Sequence, residues 1–409
     1  MEVASEKRTQ KVPALRYAGF NEPWRPHLLG NVGESRGGLT YTPDDVVDKG
    51  GTLVLRSSNI QDGQIAFDDC VYVNCEVPNK SIVKEGDILL CVRNGSRKLI
   101  GKSLLITKEH EGHAFGAFMS VYRPECGGFV AELMNTHKFY RQVHEHLGAT
   151  INQITNASLN SFRFYFPSIP EQKKIAAFLG AVDRKIQQLK RKQALLEQYR
   201  KGVVQQLFSQ ELRFKREDGG EFPDWEERVL SDFLVPTLRE VPVPSTPYLS
   251  IGIRSHGKGT FQKPNTEPAS TVMESLFLVR PQDFIVNITF AWEGAVAIVP
   301  DVDDGGLVSH RFPTYTFERS MAIPDFFRYV IVQPRFKHML EMISPGGAGR
   351  NRVMSKMKLL DESVMLPSVE EQSRIAGFLM ALDAKVAGVA QAVAAAQKWK
   401  KGLLQQMFV

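Results

Sequence analysis

Four cysteines in 409 residues, all in the first third and none in a CxxC pair, exclude a disulfide frame and a cysteine-based zinc site. Cys70, Cys75, Cys91 and Cys126 are expected to be reduced core thiols of a cytoplasmic protein. No uninterrupted apolar run approaches the roughly 18 residues of a membrane span, and MEVASEKRTQKVPALRYAG at the amino terminus has no apolar core. Neither a transmembrane segment nor a signal peptide is expected. Catalytic fingerprints are missing as well. In the stretch from Ser96 to Ser103, Ser96 stands where a P-loop needs its first glycine and Gly95 comes one place early. Residues 104–107 read as a strand, whereas a P-loop opens a helix. Asn21-Glu-Pro-Trp24 resembles the adenine-methyltransferase tetrapeptide, but Glu22 breaks its Pro-Pro turn, and no glycine-rich strand-turn-helix for S-adenosylmethionine accompanies it. His110-Glu-Gly-His113 offers two metal ligands without a third nearby. Gly346-Gly-Ala-Gly349 lacks dinucleotide-binding spacing. With no serine elbow or carboxylate-lysine nuclease cluster, the chain is expected to catalyse nothing alone.

What the sequence does contain is one stretch written twice. Residues 167–208, PSIPEQKKIAAFLGAVDRKIQQLKRKQALLEQYRKGVVQQLF, return without a gap 200 positions later as PSVEEQSRIAGFLMALDAKVAGVAQAVAAAQKWKKGLLQQMF. Ser168-Ile-Pro-Glu171 and Ser368-Val-Glu-Glu371 are expected to be capping boxes, hydroxyl and carboxylate each satisfying a backbone donor. Beyond the first cap, Ile175, Leu179, Val182, Ile186, Leu189, Gln193, Leu196, Arg200, Val203 and Leu207 alternate four and three apart. Ile375, Leu379, Leu382, Val386, Val389, Val393, Ala396, Lys400, Leu403 and Met407 keep the same register. A 3.5-residue repeat sustained this long is the seam of a coiled coil rather than the face of a globular core helix. Polar Gln193, Arg200 and Lys400 in the seam are of the register-setting kind. The expected partner of one copy is the other.

The rest forms two weaker echoes. Residues 20–166 are short and β-rich, with strands expected at 53–60, 87–92 and 161–166, turns at Asp62-Gly63 and Asn94-Gly95, and a helix over 130–146. Phe222-Pro-Asp-Trp225 repeats the opening Phe20-Asn-Glu-Pro-Trp24, and residues 277–286 parallel 81–90. A helix over 326–343 and a strand at 364–366 complete the second echo. The expected fold class is α/β (mixed α+β), divided into 1–166, a helix 167–209, 210–366 and a helix 367–409. The helices match far better than the units do, which points to two related modules reading different things.

Polar loops carry the readout candidates. In the first unit they are Ser57, Ser58 and Asn59 at a strand end, Arg93, Asn94, Ser96, Arg97, Lys98 and Lys102 around a turn, and Thr150, Asn152 and Gln153 before the closing strand. In the second they are Arg254, His256 and Lys258, then Arg350, Asn351 and Arg352. Arginine and lysine suit guanine edges and phosphates, asparagine and glutamine adenine edges. Such residues also populate loops that bind nothing. A formal net charge of +6 is compatible with a nucleic-acid partner.

The two SxxEQ…IAxFL…D…KGxxQQxF helices, each behind an α/β unit that opens with a tryptophan, resemble the specificity subunit of type I restriction–modification systems. The resemblance covers nearly the whole chain. It implies two target-recognition domains, about 15–166 and 210–366, each reading half of a bipartite site in double-stranded DNA. It also implies that the helices pair antiparallel as a coiled-coil spacer. Two modification (methyltransferase) subunits would dock on such a chain, holding S-adenosylmethionine and methylating adenine. Restriction subunits would supply ATP-driven translocation and cleavage. No cofactor is then expected on this chain, no membrane contact, and a cytoplasmic location. One departure is the alanine-rich stretch 390–396, where the first helix is rich in lysine and glutamine. A stand-alone DNA methyltransferase or nuclease is disfavoured by the missing cofactor motifs. A structural coiled-coil scaffold would be blind to DNA sequence.

Overall fold

The computed structural model describes residues 11–147, 152–346 and 352–409. The chain forms two compact units, one of residues 1–193 with 389–409 and the other of residues 194–388. Each unit takes one part of each long helix, Ile169–Phe208 and Val369–Met407.

In the first unit an antiparallel sheet runs in the order Gly33–Gly37, Met119–Pro124, Ile88–Cys91, Ser103–Leu105. All four residues of Ile88–Cys91 are buried, as befits a strand covered on both faces. Its entry is pinned by Asp87, which holds Arg123 through two hydrogen bonds of 2.6 Å. Thr52–Leu55 belongs to a second sheet, where it runs parallel to Ala114–Phe115. Arg163–Phe166 closes the unit against Arg25–Leu28, the strand that follows Trp24. The stretch 95–105, with its near-miss P-loop, forms a short turn, Arg97–Leu99, and then a strand rather than a helix.

The second unit repeats the scheme. One sheet runs Leu234–Pro236, Thr314–Phe317, Phe284–Val286, Val296–Ile298; a second contains Tyr248–Ile253 parallel to Leu307. Ser363–Leu366 closes it against Glu226–Val229. The expected single helices differ in both units. The 130–146 stretch is two helices, Gly127–Met134 and His137–His146, separated where Thr136 turns to accept from Phe139 N and cap the second. The 326–343 stretch is likewise Pro324–Val330 and Pro334–Met342. Pro334 has no N–H for an interior turn and disfavours helical backbone at Gln333.

Within each unit the start of one long helix packs on the end of the other, so the pairing is antiparallel. Ile175, Leu179, Val182 and Ile186 share the first unit's core with Leu403 and Met407. Val203 and Leu207 share the second unit's core with Ile375 and Leu379. Leu382 and Val393 are buried too, while Leu189, Leu196, Val386 and Val389 are half-buried. Each fully buried Leu or Ile contributes about 1.5–3 kcal/mol. The second helix is apolar enough by length and composition to cross a membrane. Its seam residues and Asp383 are engaged in the packing just described and in the ion pairs below.

Two seam positions carry those ion pairs. In the first unit Lys400 lies 2.7 Å from both oxygens of Asp183 and 2.9 Å from Glu132. In the second, Arg200 bonds Asp383, which accepts from the Tyr329 hydroxyl at 2.8 Å. Asp183 and Asp383 are one position of the repeat, and Arg200 and Lys400 another.

The capping boxes come out differently from expectation. Ser368 Oγ does accept from Glu371 N at 3.3 Å. The Glu171 carboxylate, however, is buried and takes Arg16 through two contacts of 2.8 Å, and Glu371 likewise takes Arg213 at 2.9 Å. A bidentate guanidinium is a stronger partner than a backbone N–H for a buried carboxylate, and the charge still faces the positive helix end. The neighbouring amides, Gln172 and Gln372, donate to Pro167 O at 3.0 Å and Pro367 O at 2.9 Å. The repeated Pro-Ser-x-x-Glu-Gln is therefore a joint tying each unit to its helix start. Of the four thiols, Cys91 and Cys126 are in the core as expected, but Cys70 and Cys75 are only half-buried.

Candidate nucleic-acid interface

In the first unit three segments meet where the central strand ends. Val92 N and Arg93 N both donate to Phe118 O at 3.1 Å, and Ile154 N donates to Val92 O at 2.8 Å. These bonds bring the 92–96 turn, Phe118 and the segment before the helix Asn156–Ser161 together. Arg93 bridges Gln153, Asn94 Nδ2 donates to Ser57 Oγ at 3.0 Å, and Asn152 Nδ2 donates to Gly95 O at 3.0 Å. Asn94 Oδ1 accepts from Ser96 N at 2.9 Å. Ser57, Arg93, Asn94, Ser96, Asn152 and Gln153 thus form one patch, in which Asn94 holds the loops and Arg93 and Gln153 stay available. Arg97 and Lys98 are exposed on the following turn. Lys102 is half-buried beside Cys91, whose thiol burial pushes up to about 11.

Asn59 belongs elsewhere. It is fully buried; its Oδ1 accepts from Arg56 N at 2.9 Å and its Nδ2 donates to Ala66 O at 2.9 Å and Asp69 O at 3.1 Å. With both ends of its amide spent on the fold, it has no edge to offer a base. His110 and His113 flank a turn beside Phe67. Among the described residues no group of three or more His, Cys, Asp or Glu converges as a metal site.

The second unit builds the same corner. Ile288 N donates to Arg311 O at 3.0 Å and Met354 N to Ile288 O at 2.9 Å, the counterparts of the Val92 and Ile154 bonds. Ser355 caps the helix Lys356–Asp361 as Thr155 caps Asn156–Ser161. Arg352 lies over the Trp292 ring, 5.3 Å from its centroid. His256, in left-handed backbone at φ +65°, donates its N–H to Glu293 O at 2.8 Å. Ser255 Oγ donates to Glu293 Oε2 at 2.6 Å. Arg254, His256 and Lys258 are exposed; Arg254 lies over Phe261 with its guanidinium tied to Thr260 O. Arg350, Asn351 and, in the first unit, Thr150 lie outside the described residues. A cavity of about 520 Å³ opens here, lined by Tyr248, Ser255, Phe261, Asn287, Phe290 and Glu293 among others. A larger recess of about 650 Å³, beside Phe208 and Trp225, shares no residue with this corner.

Sequence reasoning missed Phe118, Trp292, Glu293 and Arg311. Lone aromatics in otherwise polar loops, as in Phe290-Ala-Trp-Glu293, were the available signal.

Residues 21–198 match the family model of the type I restriction modification DNA specificity domain. The StySPI specificity subunit of Salmonella potsdam is 32% identical over 181 residues, which are 41% of this chain and 36% of that protein. The putative MjaX specificity subunit of Methanocaldococcus jannaschii is 25% identical over 88% of this chain and 87% of its own length. Residues 21–198 are thus similar to a type I DNA specificity domain. The match with StySPI spans only about a third of that relative's length. In fold, the chain is similar to the S subunit from M. genitalium, with a TM-score of 0.60 at 14% identity over 98% of this chain and 99% of that one. A chain from a structure on assembly and conformational transition of a type I system gives a TM-score of 0.52 at 15% identity, over 96% and 99%.

Proposed function

We propose that this chain is a specificity subunit, the DNA-recognition component of a type I restriction–modification complex, and carries out no chemistry itself. Each unit reads one half of a bipartite site in double-stranded DNA. The long helices serve as the scaffold to which methyltransferase subunits dock. S-adenosylmethionine and ATP belong to the partner subunits, and the complex works on cytoplasmic DNA. The observation that carries this reading is the corner built twice: the same three segments meet at the end of the same strand in both units, with different side chains presented. A shared scaffold with exchanged surface residues is what two readers of different sequences require.

The chemistry follows from the groups left free. Arg97, Lys98 and Lys258, exposed beside the corners, supply phosphate contacts that position the duplex without reading it. Gln153, Arg93 and Arg352 carry the hydrogen-bonding edges suited to base pairs in the major groove. Mapping methylated adenines in DNA from cells that carry this chain with its modification subunit tests the reading. The expected result is one bipartite motif, with no methylation by either component alone. Methylation by the purified chain alone, or methylation without a motif, would overturn it.

A further inference from the structure

Most arginines at the joints of this fold are held by carboxylates: Arg16 by Glu171, Arg123 by Asp87, Arg213 by Glu371 and Arg239 by Asp283. Arg93 and Arg352 differ. Among the described residues neither has a carboxylate partner, and each lies over an aromatic ring, Arg93 5.0 Å from the Phe118 centroid and Arg352 5.3 Å from that of Trp292. Arg93 N also donates to Phe118 O at 3.1 Å, so backbone and ring brace the same pair. Phe118 is 56% exposed, so its ring adds little to the core. Its one evident use is as a platform. Arg254 is stacked similarly over Phe261, but its guanidinium is committed to Thr260 O.

A guanidinium resting on a ring gives up little further rotamer freedom on binding and keeps its donor edge outward. That edge matches the O6 and N7 acceptors of guanine. Adenine presents an N6 donor at the same place and cannot accept the pair. Resting on the reading that this chain recognises DNA, we infer that each unit reads a guanine through one ring-braced arginine. Arg93 on Phe118 is the specificity-determining pair of the first unit, and Arg352 on Trp292 that of the second. Each half-site then contains a G·C pair at the contacted position.

The test is the genome-wide methylation motif of the full chain with its modification subunit, for wild type and for Arg93→Ala, Arg93→Lys, Phe118→Leu and Arg352→Ala. Arg93→Ala is expected to relax one G·C position of one half-site, with discrimination falling about 10- to 100-fold. Lysine, which lacks the planar fork, leaves that position relaxed, and Phe118→Leu relaxes it more weakly. Arg352→Ala does the same to the other half-site. As a check that needs no variant, the wild-type complex should bind about tenfold less tightly when 7-deazaguanine replaces the contacted guanine. Relaxation at an A·T pair, uniform weakening at all sites that lysine restores, or indifference to 7-deazaguanine would each overturn the inference. A wild-type complex without any methylation motif would instead remove the recognition reading on which it rests.

Discussion

Single residues separate those that build this protein from those that serve its surface. Asn59 looks like a base reader in the sequence and is a structural amide in the fold. Asn59→Ala leaves the Arg56 N–H and two carbonyls without their partner. It should cost about 1–3 kcal/mol of stability while leaving the methylation motif unchanged, and denaturant melts alongside motif mapping check both halves. Glu132, a buried carboxyl, is sensitive to pH. Burial pushes its carboxyl up to about 7, and Asp183 beside it pushes the same way, against the pull of Lys400. A carboxyl whose folded pKa is raised holds its proton more tightly in the folded chain. The contribution of Glu132 to stability is therefore greatest at low pH, falls as pH rises from the ordinary carboxyl range through about 7, and levels off above. Relative to Glu132→Gln, which cannot titrate, the wild type should lose up to about 3 kcal/mol between pH 5 and 8. Parallel thermal melts across that range should show it, and two flat, parallel profiles would refute it.

Among the elements, the joints at the helix starts and the ion pairs along the seam look alike on paper but differ in burial. Glu371 is buried under Arg213, whereas Arg200 and Asp383 are both more than a third exposed. Glu371→Gln removes the buried carboxylate that holds Arg213, leaving it the exposed Asp224 at 3.4 Å, and should cost about 3 kcal/mol. Asp383→Asn, screened by solvent, should cost no more than about 1 kcal/mol. Urea titrations of the two variants decide it, and equal losses would show that burial is not what sets the strength of these pairs. Elements also decide where helices stop. Sequence periodicity ran straight through Thr136 and Pro334, because the apolar spacing continues across both breaks. A cap in one unit and a proline in the other ended the first helix and began a second.

For the molecule as a whole, the two units repeat a four-stranded antiparallel sheet, a closing strand pair, the joints and the corners, while their second sheets have four and five strands. If the corners are the proposed readers, exchanging their segments should therefore be separable. Replacing 92–96 and 152–153 with other polar sequences is expected to change one half-site of the methylation motif and leave the other intact, since no residue of the second unit's corner is touched. Loss of both half-sites from that replacement would contradict the two-reader arrangement.

The sequence by itself determined the long helices, their seam and the existence of two related units. Those features rest on local periodicity and on a repeat of 200 residues, both written in linear order. It also placed the polar segments around Arg93, Asn152 and Arg254 in loops, because polar clusters between apolar runs must lie there. Tertiary structure alone decided which members of those clusters are free. Asn59 and Asn94 are consumed by neighbours that the fold brings to them, and Glu171 and Glu371 go to arginines about 155 residues away in sequence. The Arg93–Phe118 and Arg352–Trp292 pairs likewise join segments 25 and 60 residues apart. Periodicity reports which face of an element is buried. Only the packed chain reports which polar group already has a partner.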